Sequence, residues 1–307
     1  MSKGTRAGLL AAVAVGLCAG AIGGVAWYRA RNARPAALMS RMPVREAVIL
    51  YVDFAALRNR GLLQMLGGAR TQEEPEYQAF VRRTGFNYQQ DLDAALVAFA
   101  PRAKYFLLRG RFDWAALRAY AAAEKGACQD SVCRMPGSTP ERRISFFPLQ
   151  SDVMALAVSP DAWAVRSLSA RGAAPGLELP DAPVWISLPA AVLRSGEGLP
   201  TGTRMFARGV ENAEGATVSI GPDGQRFAAR LKVRCQSEGD AAATAAELRK
   251  TTALLGELIA RERHQPNPAD LSGVLTAGTF RSEGRSVSGY WPIERAFVDN
   301  LFGGGTP

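Results

Sequence analysis

Four times the sequence runs a short apolar strand directly into a helix start signal and an Ala-rich helix. Val48–Val52 leads into Asp53-Phe-Ala-Ala-Leu-Arg58, and Tyr105–Leu108, through Arg109–Phe112, into Asp113-Trp-Ala-Ala-Leu-Arg118. Val153–Val158 leads into Ser159-Pro-Asp161-Ala-Trp-Ala-Val-Arg166, and Val184–Ser187 into Leu188-Pro-Ala-Ala-Val-Leu-Arg194. An Asp side chain satisfies an orphan helix N–H, and its charge suits the positive helix end. Pro is tolerated at the first helical position because no hydrogen bond is lost there. Asp53, Asp113 and Asp161 therefore read as helix caps before they read as catalytic carboxylates. Alternation of strand and helix excludes an all-α bundle and most all-β sandwiches. The irregular spacing of the units points to a duplicated strand–helix design and not to a solenoid.

Hairpins dominate the remaining strands. Ala94–Ala100 and Tyr105–Leu108 flank a turn at 101–104, and Arg143–Leu149 and Val153–Val158 flank Gln150-Ser151-Asp152. Glu214–Ile220 and Gln225–Cys235 flank Gly221-Pro-Asp-Gly224. A last hairpin is expected from Val274–Phe280 and Arg285–Trp291. Glu76–Thr84 reads as a helix opened by Pro75, and Ser237-Glu-Gly-Asp240 as a capping box opening the longest helix, to about Arg263. That helix is expected to bury Ala245, Leu248, Thr252, Leu255, Leu258 and Ile259 in one stripe. Ile293–Phe302 reads as a closing helix.

The expected fold class is α+β. An N-terminal transmembrane helix precedes two related halves of mainly antiparallel sheet, each covered by helices on one face, in ferredoxin-like order. The boundaries are a basic tail at 1–6, an anchor at 7–28, a basic linker at 29–45, and a first half at 46–172. A Pro/Gly-rich linker at 173–183, a second half at 184–302 and a tail at 303–307 complete the chain.

Charge locates the anchor. The chain has 307 residues, 37 Lys+Arg, 28 Asp+Glu and a net charge of +9. Lys3, Arg6, Arg29, Arg31, Arg34, Arg41 and Arg45 lie in residues 1–45, which contain no acid. Removing these seven from +9 leaves +2 for the rest. The basic character therefore flanks the uncharged run Ala7–Tyr28, long enough at ~1.5 Å per residue to cross a ~30 Å hydrocarbon core. Trp27, Tyr28 and Arg29 close it as an interfacial end. The run exceeds the ~7–15 residues of a signal-peptide core, and no small-x-small cleavage site follows it. The reading is an uncleaved single-pass anchor of a bacterial inner membrane, with the bulk of the chain periplasmic. The cationic count on the C-terminal side of the run argues for the opposite orientation. Gly16, Gly20 and Gly24 share one face of this segment and are candidates for a helix–helix contact that would make a homodimer.

Candidate sites are few. Cys128 and Cys133 bracket Gln-Asp-Ser-Val, within reach of a disulfide and consistent with an extracytoplasmic location. They are not C-x-x-C, which argues against a redox-active pair. Cys235 falls on the apolar face of its strand with Phe227, Ala229, Leu231 and Val233 and reads as a buried thiol. The opposite face carries Arg226, Arg230, Lys232 and Arg234 at period two. This row is a candidate contact for an anionic partner such as a phosphate-bearing headgroup or acidic polysaccharide; the alternative is a solvated face balanced by Glu or Asp. The near-neutral soluble part disfavours nucleic acid. His264, the single histidine, removes most His-based catalysis and multi-His metal sites. Gly196-Glu-Gly198-Leu-Pro-Thr-Gly202 lacks the spacing of a nucleotide loop. No catalytic, cofactor or metal residue is nominated. The expected role is a non-enzymatic interaction or assembly module, tethered to the bilayer through 7–28 and meeting another membrane or periplasmic protein. The alternatives are a lipid- or solute-binding protein using a cleft between the halves, and a hydrolase with an unidentified carboxylate site.

Overall fold

The computed structural model describes residues 35–43, 47–63, 75–172, 178–195, 206, 209–224, 226–261 and 265–303. The anchor at 7–28, with Gly16, Gly20 and Gly24, lies outside them, as do His264 and the Gly196–Gly202 loop. Among the described residues no helix is long and apolar enough to cross a membrane.

Twelve strands form one sheet in which every neighbouring pair is antiparallel. In chain order they are β1 Val48–Asp53, β2 Leu92–Ala100, β3 Ala103–Gly110, β4 Ala127–Gln129, β5 Val132–Met135 and β6 Arg143–Gln150. They continue as β7 Val153–Ser159, β8 Val184–Pro189, β9 Gly215–Asp223, β10 Arg226–Arg234, β11 Thr279–Glu283 and β12 Ser286–Ile293. The helices are α1 Pro35–Met39, α2 Phe54–Asn59, α3 Pro75–Thr84, α4 Tyr88–Asp91 and α5 Trp114–Ala123, then α6 Ala190–Ser195, α7 Glu238–Arg261, α8 Leu271–Thr276 and α9 Arg295–Gly303. A 3-10 turn spans Ala164–Ser169.

The strand order is β11-β12-β10-β9-β8-β1-β2-β3-β7-β6-β5-β4. Read outward from the β1–β8 pair, one half runs β1-β2-β3-β7-β6 and the other β8-β9-β10-β12-β11, with β4 and β5 added to the first. The two halves are thus repeats joined edge to edge, as an approximate two-fold axis through the β1–β8 pair would place them. This corrects the ferredoxin-like order. A split βαβ unit leaves a third strand between its two, whereas β1 and β2 are direct antiparallel neighbours despite the helices that connect them. At the seam Tyr51 stands opposite Trp185, their rings stacked 5.4 Å apart, and Trp185 is 1% exposed.

The strand starts and helix caps follow the local chemistry. Asp53 Oδ1 accepts from the Ala56 N–H at 2.7 Å, and Asp113 Oδ1 from Ala115 and Ala116 at 2.9 and 3.0 Å. Asp161 Oδ1 accepts from Trp163 at 2.8 Å, ahead of the 3-10 turn. Ser237 Oγ accepts from the Asp240 N–H at 3.1 Å and opens α7. Gly85, at φ +70°, ends α3. Three local expectations change. Val274 lies in α8, capped by Asp270, so the last hairpin begins only at Thr279. Buried positions in α7 are Ala241, Ala245, Leu248, Thr251 and Thr252; Leu255 and Ile259 are half-buried, and Leu254 and Leu258 are exposed. Residues 35–42, assigned to the linker, start at Pro35 and bury Leu38, Met39 and Met42.

That last segment matters for layering. Residues directly opposite in antiparallel strands share a face. In the first half one face carries Ile49, Tyr51, Leu96, Leu107 and Ala155 and is covered by Leu38, Met39 and Met42 with Ala164, Val165 and Leu168. Arg41 ties these two covers together by donating to the Leu168 and Ser169 carbonyls. The other face lies under α2 to α5. The first half is therefore covered on both faces, and not on one as expected. In the second half α7, α8 and α9 cover one face, and the other is polar and open.

Candidate functional site

At one sheet edge the two cysteines are bonded. Cys128 of β4 stands opposite Cys133 of β5, and a disulfide joins them. Asp130 and Ser131 turn the hairpin with φ of 51° and 65°, the left-handed values a two-residue primed turn requires. Cys133 is buried on the helix side with Leu117, Phe146 and Met154, so the bond fastens a short edge hairpin to the core. The free Cys235 is buried, and burial pushes its thiol up against a weak contact with Thr244.

The cationic row lies on the open face of the second half, with Thr217, Ser219 and Tyr290 across from it. Its charges are largely met. Arg226 reaches Glu294 at 3.0 Å and Asp223 at 3.6 Å, Arg230 reaches Asp223 at 2.9 Å, and Lys232 pairs with Glu178. Tyr290 donates to Asp223 at 2.6 Å, and this bond, with Arg230 and Arg226 beside it, holds the Asp223 carboxyl below its ordinary range. Lys232 does the same to Glu178. Arg234 alone of the four makes no ion pair among the described residues. Glu178 and Glu294, remote in sequence, were not legible as partners of this row.

The sequence did not reveal an apolar pocket on the helix side of the first half. Its volume is about 250 Å³, and it is lined by Phe80, Phe86, Leu108, Phe112, Leu117, Tyr120, Met135, Ile144, Phe146, Met154 and Leu156. Phe80 meets Tyr120 edge-on at 5.1 Å, and Phe86 stacks on Phe112 at 5.3 Å. The Tyr120 hydroxyl is the one polar side-chain group in the lining, and burial raises its pKa. The pocket exists because α3 and α5 splay over β3, β5, β6 and β7, a tertiary arrangement that leaves only scattered aromatics in the sequence. Four cavities, this one included, are each lined from one half alone.

No cluster of three or more His, Cys, Asp or Glu suited to a metal occurs among the described residues. Fold and sites together define a two-half α+β protein built on one antiparallel sheet, with an apolar pocket in its first half. No protein-family model matches the chain, and no curated protein does. Solved structures with a similar chain course include TP0453 in crystal form IV, at 11% identity and a TM-score of 0.46, over 86% of this chain and 96% of that one. Crystal form I of the same protein gives 11% and 0.46 over 86% and 97%, and crystal form III 9% and 0.46 over the same shares.

Proposed function

We propose that this chain is a membrane-tethered, extracytoplasmic binding module that takes an apolar group into the pocket of its first half. The observation that carries this reading is the lining itself. Eleven side chains, five of them aromatic, surround about 250 Å³ with a single hydroxyl among them. A preformed concave apolar surface with few polar groups is how small-molecule sites are built. The site replaces the inter-half cleft of the sequence reading. With 7–28 in the bilayer, residues 29–34 alone separate the anchor from α1, which at ~3.3 Å per residue keeps the start of α1 within about 20 Å of the membrane. A fatty acyl chain is the ligand class nearest to hand.

An interaction role has its own support. Leu254 and Leu258, one turn apart on α7, are 43% and 42% exposed, and Leu271 of α8 is 47% exposed. The two readings separate in one experiment. The full chain in nanodiscs is irradiated with a diazirine-bearing fatty acid and the labelled peptides are mapped. Labelling within 75–156, competed by excess palmitate and lost in a pocket-filling Ile144→Trp variant that keeps its circular dichroism, is the expected result. Label confined to peptides outside 75–156 refutes the pocket as the site.

A further inference from the structure

A second concavity, about 600 Å³ and open to solvent, lies on the sheet edge beside the disulfide hairpin. Its lining includes Lys125, Arg134 and Arg143 with Ser138 and Thr139, and no Asp or Glu. None of the three cations makes an ion pair among the described residues. That contrasts with the Arg226 row, where three of the four cations are met by Asp223, Glu178 and Glu294. The carboxylate of Glu141, in the loop that carries Thr139 and Arg143, bonds to Thr139 and makes no ion pair with the three cations. The three like charges repel, and the fold tolerates here what it neutralises elsewhere.

The arrangement is held by structure. Arg134 of β5 stands opposite Ser145 of β6, and Arg143 lies two residues along β6 on the same face. The Arg134 guanidinium is stacked 3.9 Å from the Trp163 ring centre, and Arg166 stacks on the same ring at 3.9 Å while reaching Asp130 at 3.8 Å. Stacking fixes the plane of the guanidinium without consuming its N–H groups. Its Nε is buried and has no hydrogen-bond partner among the described residues, and neither does the Ser145 hydroxyl, which is wholly buried. Lys125 follows the cap of α5 at φ +60°, a position where glycine is usual. There its N–H donates to the Ala122 carbonyl and that of Gly126 to Ala121. The walls are closely set. A Cβ on Gly126 would come within 2.3 Å of the Arg134 carbonyl oxygen, and one on Gly137 within 1.7 Å of the Arg142 oxygen.

We propose that this concavity is a binding site for a phosphate- or sulfate-type oxyanion, gripped by Arg134 and Arg143 with Lys125 at the rim. A planar guanidinium matches the paired oxygens of such a group, and a doubly charged anion relieves the repulsion among the three cations. The site is separate from the apolar pocket and does not depend on it.

The test uses the full chain in zwitterionic nanodiscs at constant ionic strength. Inorganic pyrophosphate and water-soluble dihexanoyl phosphatidic acid are titrated separately, followed by calorimetry and tryptophan fluorescence. Expected are saturable one-to-one binding and a fluorescence change that disappears in Trp163→Phe, because that indole lies against Arg134. The exposed pair Lys125→Ser/Arg143→Ser should weaken binding at least tenfold, and Arg134→Gln a comparable amount. Arg230→Glu/Arg234→Glu should leave it unchanged. Binding of pyrophosphate alone assigns a soluble phosphate compound, and binding of both assigns a lipid headgroup as well. Saturable binding of neither, or binding lost in the Arg230/Arg234 variant and kept in the Lys125/Arg143 variant, overturns the proposal.

Discussion

Trp185→Ala tests whether the two halves fold as one. The indole lies in β8 at the seam, 1% exposed, and stacks on Tyr51 of β1. Burying ~200 Å² of aromatic surface at ~25 cal/mol per Å² is worth about 5 kcal/mol. Truncation of a buried Trp costs ~3–5 kcal/mol once the cavity is counted. Loss of the ring pair adds ~0.5–1.5 kcal/mol. A destabilisation of about 5 kcal/mol is therefore expected, against a total of ~5–15 kcal/mol for an ordinary domain. Trp185→Phe keeps the stack and should cost about half as much or less. The assay is urea unfolding of the full chain in detergent, followed by far-UV circular dichroism and by fluorescence. A single transition that shifts as a unit supports a shared core across the seam. A loss below about 1 kcal/mol, or two transitions of which only one moves, would refute the argument that β1–β8 pairing couples the halves.

Two further outcomes are expected. Tyr51 is 6% exposed, and burial together with the neighbouring Asp53 pushes its phenol up to about 12, with Arg109 opposing. The folded state then holds a proton that the unfolded state releases near 10, so this contribution is intact below pH 10 and declines as pH rises toward 12. Alkaline titration at 295 nm should show a phenol titrating near 12 that is lost in Tyr51→Phe; a wild-type curve unchanged by that substitution would contradict the assignment. Cys128→Ser/Cys133→Ser opens a bond across five positions of sequence. Chain entropy for so small a loop puts the loss at about 2 kcal/mol, measurable by urea unfolding of oxidised wild type against the variant. Mass mapping that finds both thiols free would remove the disulfide and, with it, one support for an extracytoplasmic location.

Much of the fold was legible because it is local. Each Asp cap is a short-range hydrogen bond, and each hairpin a turn between two apolar runs, so nearby residues suffice to predict them. The disulfide was readable for the same reason: its partners are five apart. The last hairpin formed but starts at Thr279 and not Val274, because Val274 falls in the helix Leu271–Thr276 capped by Asp270. In α7 the apolar period continues through Ile259, but its fully buried positions end at Thr252, and Leu258 is exposed.

By itself the sequence determined the caps, the turns, the duplicated strand–helix plan and the concentration of excess basic charge in residues 1–45. The tertiary structure decided what those elements do to one another. It placed Glu178 and Glu294 against Lys232 and Arg226, and so largely neutralised a row that alternation alone presents as bare cations. It gathered Lys125, Arg134 and Arg143 around one concavity with no ion pair to any of them among the described residues, from positions that no spacing rule connects. It also joined β1 to β8 across more than a hundred residues. Short-range periodicity records which face a side chain takes; which charge or ring it meets depends on strands brought together from far along the chain.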